Sequence, residues 1–153
     1  MKKICVTILG VFLFICLTGC GNTKVLECSK KIVGVDMNVY QNVKYTFKNN
    51  KLIKQHLVTE LKDITADNVE QTWDTQVEKF TNQNQPVDIE GFKRTVESDD
   101  KNHTFKITID IDYTKTTNQI LENYKISTDG INEVTYDELK QSTLADDYTI
   151  SCQ

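Results

Sequence analysis

The most regular stretch of the chain lies between residues 104 and 113. There Phe105, Ile107, Ile109, Ile111 and Tyr113 alternate with Thr104, Lys106, Thr108, Asp110 and Asp112. A period of two sends successive side chains to opposite faces of a strand, so five apolar groups face a core and five polar groups face water. Length and regularity predict a central strand of an antiparallel sheet with one wet face. Residues 42–48 repeat the pattern, with Val43, Tyr45 and Phe47 on one side and Lys44, Thr46 and Lys48 on the other. Asn49-Asn50 follows as a turn pair that tolerates positive φ, and residues 52–61 return, so residues 42–62 read as a hairpin. Further strands are expected from Val25 to about Val35, from Gly91 to Ser98, and from Tyr148 to Cys152. Asp99-Asp100-Lys101-Asn102 is the polar turn that leads into the central strand.

The period changes at Thr65. Ala66, Val69, Trp73, Val77 and Phe80 are spaced three, four, four and three apart, which sets them on one stripe of a helix. Thr65 is the expected N-cap, Asp67 suits the positive end of the helix dipole, and Pro86 marks a point by which the helix has ended. The stripe is read as packing on the chain's own sheet, with Trp73 as its central plug. Residues 117–124 favour a helical turn through Ile120, Leu121 and Tyr124. Thr135 and Glu138 have capping-box spacing, with Val134 and Leu139 as the hydrophobic staple, so a short helix is expected to about Ala145. Together these elements predict an α+β fold: an antiparallel sheet of five or six strands with two main helices packed on one face.

The first residues carry a different message. Lys2 and Lys3 precede an apolar run over residues 4–17, and Leu17-Thr18-Gly19-Cys20 closes it. The run is short of the roughly 20 apolar residues that a spanning helix needs, and its order is that of a secretory signal. Leu-Thr-Gly-Cys resembles a bacterial lipobox, which makes Cys20 the expected lipidation site. Two acyl chains on its sulfur would hold stably where one holds only marginally. The reading divides the chain into a signal peptide at 1–19, a lipidated tether at 20–24 and one α+β domain at 25–153. It places the domain on the extracytoplasmic side of the cell membrane.

Removing 19 of the 153 residues leaves 134, enough for one domain with a sizeable core. The signal takes two of the 18 basic residues and none of the 22 acids, so the remaining balance is 16 against 22, net −6. An acidic domain is repelled by an anionic membrane, so the lipid must do the anchoring, and nucleic-acid binding is disfavoured. Of five cysteines, Cys5 and Cys16 leave with the signal and Cys20 is blocked by lipid. Cys28 and Cys152 remain. Outside the cytoplasm such a pair is most simply a disulfide, with free thiols or a metal or redox site as the alternatives.

The lipobox, the hairpin run Tyr45-Thr46-Phe47-Lys48-Asn49-Asn50-Lys51-Leu52-Ile53-Lys54-Gln55, the amphipathic helix, Glu90-Gly91-Phe92 and Phe105-Lys106-Ile107-Thr108-Ile109-Asp110 occur in that order. In this the chain resembles the YehR-like bacterial lipoproteins over nearly its whole mature length. The resemblance implies a compact α+β lipoprotein domain of unassigned function and brings no catalytic residues. The Cys28 and Cys152 pair departs from the better-known members, as a local addition for stability.

Chemistry is sparse. No Gly-x-Ser-x-Gly elbow is present, and the two histidines, His56 and His103, stand in no recognisable motif. Both read as solvated or structural. Asp110 and Asp112 share one strand face about 7 Å apart, which makes them weak candidates for a hard cation such as Ca²⁺. The plainer reading is a soluble outer face with lysines across the strands. Tyr40, Tyr124, Tyr136 and Tyr148 are candidate exposed aromatics. The expectation is therefore a non-enzymatic envelope protein that binds or assists another surface component, with no cofactor. The alternative is a small-ligand or divalent-cation-binding lipoprotein using the acidic strand face.

Overall fold

The computed structural model describes residues 22–124, 126, 134–145 and 150–153. The expected signal peptide at 1–19, Cys20, the acidic pair Asp146-Asp147 and Tyr148 lie outside the described residues. Seven strands form one antiparallel sheet in the order β4-β5-β6-β3-β2-β1-β7. They are β1 (Thr23–Ile32), β2 (Met37–Lys48), β3 (Lys51–Ile64), β4 (Val87–Ile89), β5 (Phe92–Asp99), β6 (Thr104–Asp112) and β7 (Ile150–Cys152). Among the described residues three helices accompany them: α1 (Val69–Gln83), α2 (Asn118–Asn123) and α3 (Tyr136–Ala145). The fold is α+β, with seven strands and three helices among the described residues where the pattern predicts five or six strands and two main helices. The extra strand is β4, whose three residues after Pro86 are too few to display an alternation.

Local rules account for most of the boundaries. Asn49 and Asn50 both take positive φ, 52° and 64°, which gives the β2–β3 turn the twist of its strands. The strands it joins are longer than the alternation implies, because two bulges interrupt the pattern. Ile53 is the extra residue in one and Asp63, at φ 55°, in the other. β1 stops at Ile32, and Val33 and Val35 stand 75% and 92% exposed in the loop beyond. Thr65 does not cap α1. Its N–H donates to the Asp36 carbonyl at 2.8 Å and its hydroxyl to the Val35 carbonyl at 2.7 Å, pinning that loop. The cap is Asn68, whose side chain accepts from the Gln71 N–H. α3 begins with the capping box: Glu138 accepts from the Thr135 N–H at 2.9 Å, and the Glu138 N–H donates back to the Thr135 hydroxyl at 3.3 Å.

Strand register sorts side chains onto two faces. On the inner face one row runs Leu26, Tyr45, Gln55, Ile111, Phe92, and the next runs Cys28, Val43, Leu57, Ile109, Arg94. α1 lays Trp73, Val77 and Phe80 on a cluster containing Leu61, Phe105, Ile107, Ile109 and Ile111. α3 lays Tyr136 and Leu139 on Leu26, Cys28, Phe47 and Leu52. Each fully buried side chain of this size contributes about 1.5–3 kcal/mol. Trp73 also donates from Nε1 to Asp100 Oδ1 at 3.1 Å and meets the His103 ring edge-on, so the helix is locked to the β5–β6 turn.

Cys28 and Cys152 stand directly opposite each other on β1 and β7 and are joined as a disulfide, with Cα atoms 4.1 Å apart. Glu27 and Gln153 exchange both backbone hydrogen bonds, at 3.1 and 2.8 Å. The cysteines therefore occupy the non-hydrogen-bonded position, where side chains approach most closely.

Candidate functional site: the uncovered face of the sheet

On the inner face α1 and α3 pack on two clusters, and a depression of about 270 Å³ there is lined by Cys28, Val43, Tyr45, Gln55 and Leu57 among others, while the outer face is a polar surface organised in rows. Its central row crosses six strands: Glu27, Lys44, His56, Asp110, Lys93 and Asp88 are consecutive register partners from β1 to β4. Neighbours pair in the same order. Lys44 meets Glu27 at 2.6 Å, His56 Nδ1 meets Asp110 Oδ1 at 2.6 Å, and Lys93 meets Asp88 at 2.7 Å. A second row carries Tyr40, Glu60, Lys106 and Glu97, with Lys106 3.5 Å from Glu97. Exposed pairs of this kind contribute little stability each. Their effect is to fix side-chain positions across a sheet that no helix covers.

Two shallow depressions flank Lys44 and His56. One, of about 400 Å³, is lined by Glu27, Ser29, Asn42, Lys44, His56 and Ser151 among others. The other, of about 360 Å³, lies over β3, β6 and β5, where Lys44, Lys54, Lys93 and Lys115 surround His56, Asp110 and Asp112. Its floor depends on Gly91, which has φ 76° and a backbone approached so closely that an added Cβ would lie 2.6 Å from the Thr116 nitrogen. The Gly91 carbonyl accepts the Asp112 N–H at 2.8 Å, tying the β4–β5 turn to the end of β6.

Asp110 and Asp112 do lie on this face, but each is already engaged. Asp110 holds His56, and Asp112 accepts from the Thr114 N–H at 3.0 Å and from the Thr114 hydroxyl. Among the described residues no group of three or more His, Cys, Asp and Glu side chains is placed to hold a metal ion. What reads along the strand as an acidic face is, across the strands, mixed in charge with lysine in excess. His56, read from the sequence as solvated or structural, stands on this outer face with its side chain 48% exposed. Nδ1 is turned to a carboxylate, which fixes the ring and leaves Nε2 as its second polar atom. His103 contacts Glu70 at 3.3 Å and packs on Trp73. Of the candidate aromatics, Tyr40 donates to Asp63 at 2.5 Å between Lys31 and Lys62, Tyr124 stacks on Phe92, and Tyr136 packs edge-on against Phe47.

Four acids, three of them exposed and Asp112 half-buried, sit below their ordinary pKa values of 3.8 for Asp and 4.5 for Glu. The Tyr40 hydroxyl lowers Asp63, the Asn102 side chain lowers Asp99, the Thr114 hydroxyl lowers Asp112, and the Thr135 backbone N–H lowers Glu138. A folded pKa below the unfolded one contributes stability that is complete above the unfolded value and is lost as pH falls through the folded value. The melting temperature is expected to drop as pH is taken below about 4. A melting temperature that holds or rises from pH 5 to pH 3 would contradict this.

Among solved structures, an NMR structure of a protein from Streptococcus pneumoniae TIGR4 is similar to this chain. The two share 12% identity and a TM-score of 0.53, with 90% of each chain covered. At that identity the likeness shows the fold alone. No protein-family model matches the chain, and no curated protein matches it. Among the described residues no helix is long and apolar enough to cross a membrane.

Proposed function

We propose that the chain is an extracytoplasmic lipoprotein, held to the membrane through lipid on Cys20, that binds a polar ligand on the uncovered face of its sheet and has no enzymatic role. The observation that carries the binding part is the outer face itself. It is a polar surface spanning six strands, with two adjoining depressions meeting at Lys44 and His56. The lipobox and the YehR-like resemblance support the anchor. Convergent polar side chains on a rigid sheet support binding, because the site is preformed and ordering it costs little on association. The cation-binding alternative loses ground, since both carboxylates it would use are occupied and lysines surround them.

The test is a thermal-shift screen of the full chain in detergent micelles against divalent cations, sugars, peptides and phosphate compounds. A ligand that binds only the folded state raises the melting temperature with its concentration. The expected result is a rise with one polar class, abolished in a Lys44→Ala/His56→Ala variant. A flat screen, or a rise that survives the double substitution, would contradict the assignment of the face.

A further inference from the structure

We propose that the depression over β3, β6 and β5 receives an oxyanion of the phosphate type, an inference that rests on the binding role of the outer face. Four ammonium groups, of Lys44, Lys54, Lys93 and Lys115, line it against the carboxylates of Asp110 and Asp112, while Glu27 and Asp88 pair with two of the lysines from outside the lining. This occurs on a chain whose formal net charge is −4. The pairing within the depression decides which charges are available. Lys44 and Lys93 reach outward to Glu27 and Asp88 at 2.6 and 2.7 Å. The two carboxylates inside are engaged, Asp110 by His56 and Asp112 by Thr114. Lys54, with its side chain 61% exposed, reaches Asp112 only at 3.9 Å. The Lys115 ammonium makes no ion pair among the described residues.

Lys54 and Lys115 therefore flank the depression with Asp112 as their only nearby acid among the described residues, and its Oδ1 is already taken up by Thr114. A tetrahedral oxyanion has enough acceptor oxygens to take hydrogen bonds from both, and charge-assisted bonds of this kind are about twice as strong as neutral ones. Ile89, 38% exposed at the rim, adds an apolar surface suited to the organic part of a phosphate ester. A divalent cation would instead have to displace His56 or Thr114 from the carboxylates and face four ammonium groups.

The experiment is an NMR titration of the ¹⁵N-labelled full chain in detergent micelles. Inorganic phosphate and glycerol 3-phosphate are added in separate arms, with sodium chloride at matched ionic strength as the control. Saturable shifts confined to residues 54–56, 89–93 and 110–115 are expected in at least one phosphate arm. A tighter response to glycerol 3-phosphate would assign the ligand as an ester, and equal responses would assign the free anion. The Lys54→Ala/Lys115→Ala variant, with both side chains on the surface, is expected to keep its melting temperature and bind about tenfold more weakly. Shifts reproduced by sodium chloride, or a double variant that binds as tightly as the parent, would overturn the inference. If phosphate leaves the face untouched while a sugar or peptide shifts it, the oxyanion assignment fails and the binding face stands. No response on the face to any class would sink both.

Discussion

Replacing Cys28 and Cys152 with alanine is expected to lower the unfolding free energy by about 2–5 kcal/mol. The two residues are 124 apart in sequence, so their bond closes most of the folded chain into one loop. The chain-entropy model gives roughly 5 kcal/mol for a loop of that size. The local structure makes this an effective staple. β7 has three residues and meets only Cys28, Ser29 and Lys30 in the β1 register, too short a strand to hold itself in place. Cys28 is also buried in the cluster that α3 covers, beside Leu26 and Phe47. Loss of the bond should therefore loosen one edge of the sheet and the helix over it. Urea unfolding of the parent and the double variant would show the lower midpoint, and reductant should move the parent toward the variant. An unchanged midpoint, or two alkylatable thiols in the unreduced protein, would contradict the prediction.

Trp73→Ala is expected to cost about 3–5 kcal/mol, as truncation of a large buried aromatic does. Trp73 is 2% exposed and sits in the larger core cluster with Phe92, Phe105 and Leu121. The substitution opens a cavity under α1, removes the donor that Asp100 accepts, and leaves His103 without the ring it packs against. α1 has no other fully buried residue, so its attachment to the sheet depends heavily on this one. Denaturant midpoints would measure the effect, and Trp73→Phe should recover part of it. A loss under about 1 kcal/mol would show that the helix is held elsewhere.

The strands were legible where a single period ran unbroken. β6 shows this best, since it lies inside the sheet and alternates from Thr104 to Asp112. The Asn49-Asn50 turn was legible for a different reason, because few residue pairs accept two positive φ values. The outer face was not legible in the same way. Counting back from that turn pairs Lys44 with Gln55, which would send His56 toward the core. The bulge at Ile53 moves the register by one, so Lys44 meets His56 instead and His56 meets Asp110. A one-residue shift exchanges the faces of everything beyond it, and nothing in the local sequence announces it. Lysines across the strands from Asp110 and Asp112 were expected, but not which ones. Lys115 is local, three residues after Asp112, but Lys44 and Lys93 come from other parts of the chain, and only strand order brings them there. Thr65 shows a further limit. It has the residue type of an N-cap, but a loop 30 residues earlier in the chain competes for its hydroxyl and wins.

The most direct test of the uncovered face as the working surface is a lysine-acetylation footprint of the chain in intact cells, compared with the same chain purified in detergent. If the outer face carries a ligand in the envelope, Lys44, Lys54, Lys93 and Lys115 should react more slowly in cells. Lys79 on α1 and Lys101 in the β5–β6 turn should react alike in both settings. Equal reactivity of all these lysines, or protection confined to Lys79 and Lys101, would contradict the account and move the binding surface off the sheet.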